Sequence, residues 1–231
     1  MPVQVRLWAP HKNMKVTDAV NSRKSIRAFL DTPIETRLLV NLLKMASRSP
    51  SGGNLQPWHI YLLNGKKMDD FKEFINAWNK PEQPQYEIYP PNLKEPYRTS
   101  RFELGEAMYE LLEIPRDDKA ARFAHLMENF NFFGAPAALF CFVDKTMGSP
   151  QWSDLGMFLQ TFMLLAQEQG IDTCAQEAWA VKPDSLREFF AVPEELSIFC
   201  GMAIGIKDIQ ARVNELQSER RPTDEWLTIF E

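Results

Sequence analysis

Apolar side chains recur along this chain at two spacings, and the spacing alone separates helices from strands. Leu38, Leu39, Leu42, Leu43, Met45 and Ala46 keep helical intervals and predict a buried helix. Residues 68–79, 102–112 and a stretch near 117–131 read as further helices. Ser153 stands where a cap would open a long helix running to Gln169, with Gly170 as its stop. Residues 183–190 suggest one more. Strands are expected at 58–63, closed by the Asn64-Gly65 turn, at 137–143 and at 196–206. In the last of these, the small Gly201 and Gly205 permit a neighbour to approach closely. Helices outnumber strands and do not alternate strictly with them, so the expected fold class is α+β.

Residues 79–100 break the pattern. Pro81, Pro84, Pro90, Pro91 and Pro96 are interspersed with Tyr86, Tyr89 and Tyr97. Proline fixes φ and removes a backbone donor, so the segment is expected to be neither regular helix nor central strand. Two readings stay open, a connecting loop or an aromatic-bearing lid over a pocket. Residues 208–231 carry Arg220-Arg221-Pro222 and a weak apolar finish, and look like an arm. The chain, 1–231, is read as one domain bearing that loop and that arm.

Composition narrows the partners. With 45% apolar and 25% charged side chains over 231 residues, the chain can build a full core without staples. A net charge of −5 is not that of a nucleic-acid binder, although a local basic patch could still hold one phosphate. Three cysteines with no CxxC pair, and only three histidines, argue against structural zinc or a disulfide framework. Reduced, cytosolic thiols are expected. The opening MPVQVRLWAPHKNMK has no apolar h-region, and the longest apolar run, 135–143, is less than half a membrane span. The expectation is a soluble, cytoplasmic protein with no metal, nucleic-acid or membrane partner.

Neither GxGxxG nor GxxxxGK[ST] occurs, so the Rossmann fingerprint and the P-loop are absent, as are HExxH and GxSxG. Four stretches remain. Arg23-Lys24-Ser25-Ile26-Arg27 offers three cations and a hydroxyl, suited to a phosphate or, more blandly, to a solvated helix end. Ser49 to Trp58 (SPSGGNLQPW) is a polar, glycine-bearing turn between a helix and a strand. Its Ser, Asn and Gln side chains suit polyol hydroxyls and ring amides, although most such clusters are plain loops. The Gln176-Glu177-Ala178-Trp179 stretch is either a packed edge with one exposed acid or a backbone surface for a flat heteroaromatic ring. Arg220 with Arg221 reads first as a surface pair.

In this order the four stretches, with a long helix before QEAW and GMAIG after it, resemble the FMN-dependent nitroreductase superfamily. The likeness runs from about Val16 to the tail, with 79–100 the least comparable part. It implies a nitroreductase-like fold with a central, mainly antiparallel sheet flanked by helices. It also implies an intertwined homodimer with an exchanged C-terminal arm and two FMN molecules at the interface. On the matching positions, Arg23 and Ser25 would bind the flavin phosphate, with Lys24 between them. Arg27 would lie near the pyrimidine, where a cation stabilises the reduced ring. Pro50, Ser51 and Asn54, with Gln56 a less certain addition, would reach the flavin from the partner subunit. From the QEAW stretch come Gln176, Glu177 and Ala178; the last two match a Glu-Gly pair whose backbone faces the flavin near N5, and Ala178 departs from that glycine. Arg220 would meet the phosphate with help from Arg221, and Asp154 falls near a position that touches the isoalloxazine.

The same resemblance implies an oxidoreductase that takes a hydride from NAD(P)H through flavin N5 and reduces a small aromatic acceptor, a nitroaromatic first, by ping-pong turnover. No side chain is expected to be catalytic in its own right, since the flavin carries the chemistry. Quinones, enones or halophenols on the same fold, or non-catalytic flavin storage, are the alternative expectations.

Overall fold

The computed structural model describes residues 14–231. The lack of an apolar leader in the first fifteen residues is thus a reading that falls mostly outside the described part. Seven α-helices are described: α1 (Val16–Ser22), α2 (Thr36–Ala46), α3 (Lys66–Ala77), α4 (Tyr97–Leu111), α5 (Lys119–Met127), α6 (Ser149–Glu168) and α7 (Pro183–Phe190). With them go five strands: β1 (Phe29–Leu30), β2 (His59–Asn64), β3 (Ala137–Asp144), β4 (Asp172–Gln176) and β5 (Leu196–Lys207).

Strand β5 organises the sheet. It pairs antiparallel with β3 from Leu196 to Ile204, with β4 from Gly201 to Gly205, and with β1 through its last two residues. Outside β3 lies β2, also antiparallel, with His59 opposite Phe142. The expected α+β class with a mainly antiparallel sheet is the observed one. In β3 alternate residues serve opposite faces, and both are buried. Ala138, Phe140 and Phe142 join Phe71, Phe132 and Trp179 on one side. Leu139, Cys141 and Val143 join Leu39, Leu42, Leu155, Phe158 and Phe162 on the other. A strand covered on both faces reads as a continuous apolar run, which is why 135–143 stands out in the sequence.

Both glycines of β5 are fixed by close neighbours. A carbon added to Gly201 would lie 2.9 Å from Nε1 of Trp179, and one added to Gly205 would lie 2.7 Å from the Phe29 ring. All three cysteines are free and buried. Burial pushes the Cys200 thiol up to about 12, and raises Cys141 and Cys174 as well.

Several boundaries differ from expectation for local reasons. The long helix α6 opens four residues before Ser153, at a Gly148 cap whose N–H donates to Gln151 Oε1 at 3.1 Å, while the Ser153 hydroxyl turns back to the Pro150 carbonyl. Gly170 does end it, at φ +68°. Helix α4 begins at Tyr97, inside the segment expected to be irregular, because Pro96 occupies the cap, where no N–H is required. The rest of 79–96 has no regular structure and is pinned to the body. Glu82 accepts from the Asp184 and Ser185 N–H groups at the start of α7, Gln85 N–H donates to the Ala180 carbonyl, and the Tyr86 hydroxyl donates to the Phe199 carbonyl. Among the described residues no helix is long and apolar enough to cross a membrane, and no group of three His, Cys, Asp or Glu is placed to hold a metal ion.

Gly201→Ala tests the β5–Trp179 contact. Overpacking a site sealed on all sides costs about 1–3 kcal/mol, so the urea-unfolding midpoint falls measurably, and an unchanged midpoint contradicts the packing described.

Candidate functional site

The RKSIR stretch leaves α1 at Ser22 and runs extended, held to the sheet edge by Ile26 N–H donating to the Thr173 carbonyl at 3.0 Å. Ile26 is sunk in the core, and the period of two turns Arg23, Ser25 and Arg27 to the opposite side. The arm closes over that side. Asn214 is its staple: Oδ1 accepts from Arg27 N–H at 2.8 Å, and Nδ2 donates to the Ala28 and Asp208 carbonyls at 2.8 and 2.9 Å.

Between the two segments lies a hollow of about 250 Å³ whose wall includes Arg23, Lys24, Ser25, Arg27, Ser218 and Arg220, with Leu104 of α4 reaching in. Among the described residues, four cationic side chains line it and no carboxylate does. The hydrogen bonds that orient three of them go to neutral acceptors. Lys24 Nζ donates to the Glu215 carbonyl, Arg27 to the Ser25 carbonyl, and Arg220 to the carbonyls of Ser218 and Glu219 and the Ser218 hydroxyl. Their charge is therefore left for a ligand. Guanidinium forks, an ammonium and two hydroxyls are a donor set that fits a phosphate monoester, and hence the phosphate of FMN.

Other candidate residues lie elsewhere. Arg221 is outside the hollow, 3.7 Å from Glu225 and above the Tyr97 ring. Pro50, Ser51, Asn54 and Gln56 sit together on the turn between α2 and β2, with Asn54 and Gln56 exposed. There Gln56 N–H donates to Ser51 Oγ at 3.0 Å and its amide to the Asn54 carbonyl. Asp154 is buried behind this turn, its Oδ2 accepting from Gly52 N–H at 3.2 Å. Gln176 is also buried and already partnered: Nε2 donates to the Asn129 carbonyl, and Oε1 accepts from Trp179 Nε1. Glu177 and Ala178 open the short 3-10 turn after β4, against which Gln85 and Tyr86 pack. Burial raises the Glu177 carboxyl above the usual carboxylate range. Neither this turn nor the 50–56 loop lines the cationic hollow of its own chain.

Sequence reading missed Asn214, Gln217, Ser218 and Leu104, and no local signal marks them. It also passed over His125, where burial first and the Arg27 charge second hold the imidazole below its usual range.

The topology and the cationic hollow describe an α+β protein with a place for an anionic ligand, and comparison fixes the class. The chain matches the Nitroreductase family over residues 20–206, and it belongs to that family. It is 36% identical over 202 residues to a 4-nitrobenzoate reductase of Pseudomonas putida, covering 87% of this chain and 89% of the relative. Identity to a nitrobenzene nitroreductase of Ectopseudomonas oleovorans is 30% over 221 residues, 92% and 96% of the two chains. Among solved structures, the FMN and NADPH-dependent nitroreductase NfnB from Sphigopyxis sp. strain HMH superposes with a TM-score of 0.90 at 39% identity, covering 94% of this chain and all of that one (100%).

If the hollow takes a flavin phosphate, Arg23→Ala and Arg220→Ala are each expected to cost a charge-assisted contact of about 1.5–3 kcal/mol and to weaken FMN binding roughly ten- to a hundredfold in a fluorescence titration. Riboflavin, which lacks the phosphate, serves as control and is expected to lose far less. Equal losses for both ligands would remove the phosphate assignment.

Proposed function

We propose that this chain is an FMN-dependent reductase of nitroaromatic compounds that uses NAD(P)H as electron donor, turns over by a ping-pong scheme and works as a homodimer. The observation that carries the reading is the cationic hollow, walled from both ends of the chain by Arg23, Lys24, Ser25, Arg27 and Arg220 and, among the described residues, lined by no carboxylate. The names of the relatives, reductases of 4-nitrobenzoate and nitrobenzene, point to the acceptor class.

When bound, FMN supplies the hydride chemistry, accepting from NAD(P)H and delivering two electrons to the acceptor. The chain's part is binding, orientation and electrostatics. Arg23, Ser25 and Arg220 grip the phosphate, with Lys24 adding charge. Arg27, held by Asn214 through its own N–H, would bring a positive charge near the ring, where it would favour reduction. Backbone at Glu177 and Ala178 would face the ring from one subunit, and Ser51 and Asn54 would approach from the other. Such sharing is supported by apolar side chains left bare on a single copy: Phe123 of α5, Phe102 of α4, and Trp226, Ile229 and Phe230 of the arm, the last 92% exposed.

Purified protein is expected to be yellow, to bleach with anaerobic NADPH and to regain colour on adding 4-nitrobenzoate, all read in one visible spectrum. Faster return with menadione than with any nitroarene would move the acceptor assignment to quinones, and a protein that takes up no FMN would end the proposal. Deleting residues 223–231 removes the bare apolar cluster of the arm. Analytical ultracentrifugation is expected to show this variant dissociating at concentrations where the full chain stays dimeric, with loss of FMN in parallel.

A further inference from the structure

We propose that Asp154 is a positioning residue, whose buried carboxylate clamps the 49–56 loop in the shape that presents Ser51 and Asn54. The functional weight of this clamp rests on the reading above, in which the loop faces FMN. Its physical basis does not.

Asp154 is only 4% exposed, and among the described residues no Lys, Arg or His lies within ion-pair distance of it. A buried carboxylate must be compensated, and the one hydrogen bond described here is the Gly52 N–H, 3.2 Å from Oδ2. The loop needs such a hold. Gly53, Asn54 and Gln56 have φ of +57°, +59° and +51°, three left-handed residues within four positions, and glutamine is a poor occupant of that region. The bonds inside the loop, Gln56 N–H to Ser51 Oγ and Gln56 Nε2 to the Asn54 carbonyl, tie it to itself and not to the body.

Helix α6 provides the attachment. Asp154, Met157 and Thr161 fall three and four residues apart and share one face. Two turns after Asp154, the Ser49 hydroxyl donates to Thr161 Oγ1 at 2.7 Å, and the Thr161 hydroxyl donates to the Met157 carbonyl at 2.8 Å. The loop is thus held at Ser49 and at Gly52, by two positions on one face of a single long helix. Ser51 lies between the two points, and Asn54 follows directly after. A long rigid helix fixes the position of a strained loop, and a single charged acceptor decides whether the loop keeps its shape.

Asp154→Leu keeps the bulk and removes the acceptor. Expected are faster amide exchange at residues 52–56 in FMN-free protein, an unchanged far-UV spectrum, about tenfold weaker FMN binding and a shifted flavin absorption maximum. Asp154→Asn, whose amide oxygen still accepts, is expected to restore binding to within about threefold of the original. Gly52→Pro deletes the donor from the other end. Ser51 is already extended (φ −142°, ψ 145°), as a residue before proline requires, and the proline ring carbon takes the place of the N–H that points at Asp154. Because the two variants break one bond, the double variant is expected to bind FMN no more weakly than the worse single one. Original exchange rates and affinity in Asp154→Leu overturn the clamp, as does equal loss in Asp154→Asn. Should Asp154→Leu not fold, Gly52→Pro decides on the same readouts. A parent chain that binds no FMN overturns the flavin reading instead, while amide exchange still judges the clamp.

Discussion

Like charges crowded into one hollow repel one another, and the structure is arranged around tolerating that repulsion. Four cations of the described residues share a wall and none is paired with a carboxylate there; Lys24, Arg27 and Arg220 are oriented by carbonyl or hydroxyl oxygens that take a hydrogen bond without cancelling a charge. A carboxylate in the same place would hold the side chains as firmly and leave nothing for a ligand. The arm is bound up in this constraint, because Asn214 and Glu215 supply the neutral partners that seat Arg27 and Lys24. An apparently loose C-terminal segment therefore contributes to the electrostatics of residues nearly two hundred positions earlier.

Much of the scaffold could be read from the chain, and the exceptions have physical reasons. β3 and β5 are legible because both faces are buried, which leaves long apolar runs. α7 is legible because Pro183 opens it and an amphipathic stripe follows. β4 was missed: Asp-Thr-Cys-Ala-Gln is short and mixed in polarity, and it becomes a strand only because β5 offers an edge for Asp172 to Gln176. The opening of α6 was misplaced because a glycine cap backed by a glutamine side chain looks weaker in sequence than a serine.

The candidate site was legible to a different depth. Arg23, Lys24, Ser25, Arg27 and Arg220 were nominated by resemblance to a family, and they converge on one hollow. Asn214, which holds the convergence together, sits in an unremarkable polar stretch, and its importance arises from three backbone groups that meet only in the fold. Asp154 and Gln176 show the converse. Resemblance nominated both as ligand contacts, and within this chain Gln176 bonds to Asn129 and Trp179 while Asp154 accepts from Gly52 N–H. Residue type reveals what a side chain can offer, and burial with partner geometry reveals where that capacity goes.

The sealed cysteines have a practical corollary. Cys141, Cys174 and Cys200 are all buried, and their thiols are held protonated by the apolar surroundings. A chromogenic thiol reagent thus meets no reactive sulfur until the sheet opens. The rate at which colour develops in mild denaturant becomes a direct clock for core opening, with Cys141 and Cys200 opposite one another on neighbouring strands reporting rupture of the central pairing.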